Sequence, residues 1–247
     1  MSDNRKFKKT LFSYAAGAFG HDVFYAALSS YLIMFITSQL FNSSTVGGEG
    51  YSEKMIAIVA TMLFVLRFVE LLIDPIIGGV VDNTRTRWGK FKPWILFGGT
   101  VGSVCIALLY TDLGGLSTSN PTLYIIMFVV IFAVLDIVYS FKDIAFWGMI
   151  PALATTSKER ETVGVYARMA STIAQSLVTF SIVPIVLFFS KNHSQTANVI
   201  GDKQGWMAFG IIVAAVSLIG GIITVIGAKE QDNVLRNDSE KTTILKV

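Results

Sequence analysis

Apolar residues run along this chain in long blocks separated by short polar pieces. A block of about 20 apolar residues is long enough to cross a bilayer as a helix. Six such blocks lie at roughly 11–40, 54–80, 92–112, 122–151, 169–190 and 206–228. The pattern predicts an all-α membrane protein with six transmembrane helices. The first and fourth blocks are long and carry polar residues near their middle or end, so these two helices are expected to tilt or bend.

Composition strengthens the reading: 53% of the 247 residues are hydrophobic and only 15% charged, where a soluble domain carries about 25% charged residues. The apolar stretch after MSDNRKFKKT has no small-residue cleavage site and runs past signal-peptide length, so it reads as a retained first span. The single cysteine, Cys105, excludes an intramolecular disulfide framework. The net charge of +3 is small and the basic residues sit in short clusters between apolar blocks, which argues against a nucleic-acid-binding face.

Those clusters alternate along the chain. The N-terminal tail, the second and fourth loops and the C-terminal tail hold 14 Lys and Arg, whereas the opposite loops hold only Lys54, Lys191 and Lys203. The positive-inside rule therefore predicts six crossings with both termini cytoplasmic. Residues 1–10 are expected to be a cytoplasmic tail, 11–228 the bundle, and 229–247 the start of a cytoplasmic linker.

Asp22, Glu70, Asp74, Asp136 and Asp143, with Arg67, Lys142 and Arg168, fall within or at the ends of these blocks. A lone charge at the bilayer centre costs at least about 2.5–3.5 kcal/mol on insertion scales, so such a set needs a polar interior between helices. Arg67, Glu70 and Asp74 are spaced i, i+3, i+7 and share one helix face. Two carboxylates one turn apart can share a cation or a proton; Arg67 either neutralises one of them for insertion or tunes their hold on a cation. Asp22 lies beside His21 among small residues and is suited to accept a hydrogen bond from a substrate hydroxyl. His21 reads either as a proton carrier or as an interfacial packing residue. Asp143 and Trp147, at i, i+4, pair a carboxylate with a flat indole, which matches the hydroxyls and the C–H face of a sugar. Lys142 points about 100° away around the helix, and Asp136 is expected nearer the membrane surface. Arg168 is placed at the opening of the fifth span, either paired with an acid across the bundle or anchored at the headgroups.

The loop VDNTRTRWGKFKPW at 81–94 combines Asp82, Arg87 and the Trp88-Gly89-Lys90 turn, just after Gly78. It reads as a cytoplasmic gate that closes when helices of another half approach, with Arg67, Asp82, Arg87 and Lys90 as gate or support residues. Neither a metal-ligand spacing, a nucleotide loop nor a nucleophile–base arrangement occurs in a credible context, so an enzyme is not expected and no cofactor is implied.

AFGHD at 18–22, RxxExxxDP at 67–75, RWGKFKPW at 87–94, KDIAFWGMIPAL at 142–153, KERE at 158–161, Arg168 and GDKQGW at 201–206 together resemble the glycoside-pentoside-hexuronide:cation symporters of the major facilitator superfamily. The resemblance covers the whole chain and is nearest to the Gram-positive lactose and galactoside permeases. It implies that Asp22 and Asp143 hydrogen-bond a galactosyl unit, that Trp147 stacks on it with Arg168 nearby, and that Glu70 and Asp74 bind the coupling cation. Sodium-using melibiose carriers have aspartate where this chain has Glu70 and lysine where it has His21. The departure favours H+ over Na+ as the coupling ion.

Family members have two six-helix halves, so the resemblance implies the N-terminal half of the fold, with a C-terminal six-helix half or a second copy as partner. Sugar, cation and lipid bilayer are the other expected partners, and the cell membrane the expected location. The leading expectation is secondary active transport of a galactoside of the lactose, melibiose or raffinose type. The alternatives are a carrier for another glycoside or pentoside using Na+, and a non-transporting membrane fragment.

Overall fold

The structure is a computed structural model in which residues 2–41, 49–191, 195–196 and 199–230 are described. Six helical stretches among these residues are long and apolar enough to cross a membrane: Arg5–Leu40, Glu53–Asn83, Lys92–Leu109, Pro121–Gly148, Ser157–Phe189 and Lys203–Gly227. The first is compound: α1 (Ser2–Ala26) passes through a π-helical turn at Ala27–Tyr31 into α2 (Leu32–Phe35) and a second π turn at Ile36–Leu40. Such widened turns change the direction of a long helix without ending it. The others are α3 (Glu49–Asn83), α4 (Lys92–Leu109), a short α5 (Leu116–Ser119), α6 (Pro121–Gly148), a short α7 (Ile150–Leu153) and α8 (Ser157–Phe189). Two two-residue antiparallel strands, Gln195–Thr196 and Val199–Ile200, precede α9 (Lys203–Gly227).

Two boundaries differ from the hydropathy reading. Residues 2–10, expected to be a tail, are helical and continuous with α1. The fifth span begins at Ser157 rather than near 169, because a capping box starts it: Glu159 N–H donates to Thr156 Oγ1 and Thr156 N–H to Glu159 Oε2, both at 3.3 Å. SKERE is thus the polar first turn of α8 and not a loop, and Arg168 lies within the helix rather than at its start. Of the expected linker only residues 229 and 230 are described; the rest of 231–247 lies outside the described residues.

Local chemistry explains the other helix starts. Asn120 caps α6 through Leu123 N–H at 3.1 Å with Pro121 in the first turn, and Asp202 caps α9 through Gln204 and Gly205 N–H at 3.0 Å. Gly201, at φ 62°, supplies the left-handed residue that turns the chain into that cap. We expect Asp202→Ala to cost about 1 kcal/mol, read as a lower unfolding midpoint of the purified chain in denaturant.

α1 is the centre of the bundle, packed on α8 and α9, while α4 packs on α6 and α9 and α3 leans on α6. Two apolar clusters fill the interior. One contains Phe24, Phe35, Tyr110, Trp206 and Phe209, with the Tyr110 and Trp206 rings stacked. The other contains Tyr14, Phe91, Phe146 and Met149. The phenolic O–H of Tyr14 donates to the Phe146 carbonyl at 2.6 Å, so a buried polar group is satisfied across the α1–α6 contact.

Small residues set the α1–α9 distance. A Cβ on Gly20 would lie 2.8 Å from the Val216 carbonyl oxygen and 3.2 Å from the Gly220 Cα, and backbone cannot yield as a side chain can. Gly20→Val is therefore expected to lose the α1–α9 contact, seen as less monodisperse protein after detergent extraction, whereas Gly221→Ala, where a Cβ meets nothing within 4 Å, is expected to behave as the parent.

Outer faces of α3 and α8 remain apolar and exposed, with Phe64 at 73% and Phe180 at 82%. A bundle that buries its interior yet shows this much apolar surface suits a hydrocarbon surround rather than water.

Candidate functional site

Helical period places the charges of α3 and α6 opposite each other. Arg67 Nη1 lies 2.7 Å from Glu70 Oε2 on its own helix and 3.1 Å from Asp136 Oδ1 on α6. Ser140 Oγ, one turn beyond Asp136, donates to Glu70 Oε1 at 3.1 Å. Asp136 was expected nearer the membrane surface; it lies near the middle of α6, 4% exposed, and is ion-paired with Arg67. Hydropathy could not locate it, because only its partner on α3 makes that depth tolerable.

Asp74 follows one turn after Glu70, and its Oδ1 is buried without a hydrogen-bond partner. Pro75 has no N–H to give the Leu71 carbonyl, so that oxygen lacks its usual helical donor at the same level. Glu70, Leu71 and Asp74 line one cleft of about 620 Å³, together with Arg67, Tyr139, Ser140 and Asp143. Among the described residues that line this cleft, Glu70, Asp74 and Asp143 face one cation, Arg67. Carboxylates in excess of cations there call for a proton or a small cation.

A second constellation joins α1, α6 and α8. His21 Nε2 lies 2.9 Å from Asp143 Oδ1 and 3.0 Å from the Tyr139 hydroxyl. Its ring is 3% exposed and stacks on Tyr139 and Phe146, with Trp147 edge-on. Asp143 is 43% exposed, so it presents one side to His21 and another to the cleft.

Asp22 is more enclosed than its expected role suggests. At 6% exposure, its Oδ2 accepts from Ser171 Oγ at 2.5 Å and its Oδ1 from Gln175 Nε2 at 2.9 Å, both on α8. A carboxylate has about four lone-pair sites, so Asp22 keeps acceptor capacity while α8 fixes its orientation. Half-buried Trp147 carries the Arg168 guanidinium over its ring, 4.2 Å from the centroid. Arg168 thus meets an indole, and one face of Trp147 is already covered. The structure brings Asp143, Glu70, Asp74 and Arg67 into one cleft, whereas Asp22, held by α8, and Trp147, covered by Arg168, are not among the residues that line it.

Lys142 points away from the cleft, as its helical angle requires. It is 2% exposed, donates to Ser217 Oγ on α9 at 2.8 Å, and lies over the rings of Phe24 and Tyr139. Gly98 makes room for it, since a Cβ there would lie 2.6 Å from Lys142 Cβ.

Of the expected gate residues, Arg87 and Lys90 lie in the α3–α4 loop and Asp82 in the last turn of α3 that leads into it. Asp82 Oδ1 pairs with Lys90 Nζ at 2.8 Å across the turn in which Gly89 adopts φ 114°. Arg87 is exposed, its guanidinium 6.0 Å from the Trp88 ring centroid, and Arg67 is far along α3 in the cleft rather than at this loop. A residue missed from sequence completes the loop: Glu230, beyond the end of α9, accepts from the backbone N–H of Lys90 at 2.9 Å and of Phe91 at 3.3 Å. No local signal marks it, because its partners lie about 140 positions away. Ser171 and Gln175 were also missed, although Arg168, Ser171 and Gln175 repeat the same i, i+3, i+7 spacing as Arg67, Glu70 and Asp74.

The fold and site thus define a helical bundle with six candidate membrane spans and an acid-bearing cleft between its first span, α3 and α6. The sequence profile of the family described as MFS/sugar transport protein matches residues 13–246, and the chain belongs to that family. It is 47% identical over 235 residues to a lactose permease of Lactobacillus delbrueckii subsp. bulgaricus, covering 95% of this chain and 36% of that protein. Identity to a raffinose carrier protein of Pediococcus pentosaceus is 42%, covering 93% of this chain and 35% of the relative. A lactose permease of Leuconostoc lactis is 37% identical, covering 96% and 36%. The chain spans little more than a third of the length of these relatives, which are named as carriers and not as enzymes.

Proposed function

We propose that the chain is the N-terminal half of a cation-coupled galactoside symporter. The single observation that carries the reading is the shared cleft, where the carboxylates Glu70, Asp74 and Asp143 stand around Arg67. In this mechanism a proton occupies the Glu70–Asp74 pair, which lowers the repulsion in the cleft and lets α3 settle against α6. Asp143, oriented by His21, then accepts from the sugar's hydroxyls. Asp22 supports the same ring from the α8 side and the remaining face of Trp147 covers its apolar surface. The Asp82–Lys90 loop opens and closes the route on the side where both ends of the bundle emerge. Alternating access requires a second six-helix half to rock against this one, and the exposed faces of α3 and α8 are the surfaces suited to it. By the positive-inside rule that side is the cytoplasm.

The names of the relatives, lactose permease and raffinose carrier protein, support the sugar class. A second reading, a carrier for another glycoside, is favoured by 25% identity to an isoprimeverose transporter of Lactiplantibacillus pentosus. Competition separates the two. With the complete carrier, unlabelled lactose and raffinose are expected to block uptake of a labelled galactoside while xylosides do not; block by xylosides alone would favour the second reading.

A further inference from the structure

A groove of about 500 Å³ runs between the start of α4 and the end of α9, on the outside of the bundle and away from the cleft. Its wall is apolar, made by Leu96, Ile222, Val225 and Ile226, the last of these 75% exposed. Its mouth carries Arg87, Trp88 and Lys92. Both helices reach their membrane ends here, since Lys92 opens α4 and Gly227 closes α9. The groove therefore has its wall at hydrocarbon depth and its mouth at the level where phosphate headgroups and interfacial tryptophans sit.

The charge at the mouth is positive. Asp82 faces Lys90, and the oxygens of Glu230 accept from the Lys90 and Phe91 backbone. Glu230 and Lys229 also act on Lys92 electrostatically, with opposite signs. Among the described residues, the charged groups that line the groove are the Arg87 guanidinium and the Lys92 ammonium, above an apolar trough.

We propose that this groove is a binding site for an anionic phospholipid of the adjacent leaflet, with the phosphate between Arg87 and Lys92 and an acyl chain along Leu96, Ile222 and Ile226. A free phosphate would leave the apolar wall unused, and a zwitterionic headgroup would bring its own cation against the two on the protein. The lipid would brace α4 against α9 at the foot of the α3–α4 loop, so its occupancy bears on how readily that loop moves.

Native mass spectrometry of the delipidated full chain, titrated with dioleoyl phosphatidylglycerol or dioleoyl phosphatidylcholine, tests the site. Phosphatidylglycerol is expected to bind about thirtyfold more tightly, in line with about 1 kcal/mol for each of the two basic groups near the surface. The double variant Arg87→Gln/Lys92→Gln is expected to lose that preference, and Ile222→Trp, which fills the trough, to weaken both lipids. A control pair, Lys8→Gln/Lys9→Gln, is expected to keep the preference. Equal binding of the two lipids by the parent would overturn the proposal, as would an equal loss in the control pair, which indicates diffuse attraction without a site. Helical circular dichroism of each variant identifies any that fails to fold. For one that fails, the Arg87→Lys/Lys92→Arg variant, which keeps both charges, must retain the preference or the assignment is lost.

Discussion

Replacing Asp74 by asparagine is expected to abolish uphill accumulation of sugar while leaving downhill exchange measurable. Asp74 Oδ1 is buried without a hydrogen-bond partner, one turn from Glu70 and beside the carbonyl that Pro75 leaves undonated. An amide there keeps the shape but removes one of the charges proposed to bind the coupling cation. A gradient of about one pH unit is worth about 1.4 kcal/mol, or a tenfold accumulation for one proton per sugar. In the complete carrier, Asp74→Asn should bring the inside-to-outside ratio of labelled lactose from that level down to equilibrium. Full accumulation by the variant would remove Asp74 from the coupling site. In the proposed coupling protons enter with the sugar, so an acidic outside should drive uptake in the parent and a reversed gradient should drive efflux.

The second large effect is expected at Arg67. Its guanidinium stands 2.7 Å from Glu70 and 3.1 Å from Asp136 and is the one basic group among the described residues that line the cleft. Arg67→Gln leaves Asp136 near mid-span with no cation facing it. Breaking a fully buried pair costs about 3–5 kcal/mol; Arg67 is 37% exposed, so a loss of roughly half that is expected once solvent screening is allowed for. The loss should appear as a lower thermal midpoint of the purified protein. Adding Asp136→Asn to Arg67→Gln should restore most of it, because the excess charge is then gone. If the single variant is as stable as the parent, the ion pair is not what makes Asp136 tolerable in the span.

The same two residues show how far sequence alone reaches. Arg67, Glu70 and Asp74 could be placed on one face because helical period is a local property, and all six spans followed from hydropathy for the same reason. The partner of Arg67 on α6 and the partner of Asp143 on α1 could not, since both depend on which helices are neighbours. Asp136 was therefore put near the surface, and His21 was left between proton carrier and packing residue when it in fact bridges Asp143 and Tyr139. The start of α8 was misjudged for a different reason. Hydropathy discounts SKERE, but the Thr156–Glu159 capping box that begins the helix was present in the sequence and outweighs it. Glu230 had no such local mark: its role arises only when the end of α9 returns to the α3–α4 loop.

Two helices account for how this cleft is held and where it opens. α1 is wrapped by α8 and α9, so Asp22 and His21 are held firmly. α3 meets mainly α6 and keeps Phe64, Phe68 and Leu71 exposed, so the cleft between them stays open on one side. In the proposed carrier, closure of this open side by a second half would exclude water and strengthen the charges of the site.

The most direct test joins this chain to the second half of the Lactobacillus delbrueckii lactose permease to which it is 47% identical, with assembly verified by gel filtration in detergent. Uptake of radiolabelled lactose is then measured in proteoliposomes under an imposed proton gradient, a sodium gradient or neither. Accumulation that needs the proton gradient and collapses with a protonophore is the predicted result. An assembled, monodisperse carrier that accumulates no galactoside under any gradient would contradict the account, and accumulation driven by sodium alone would contradict the proton at Glu70 and Asp74.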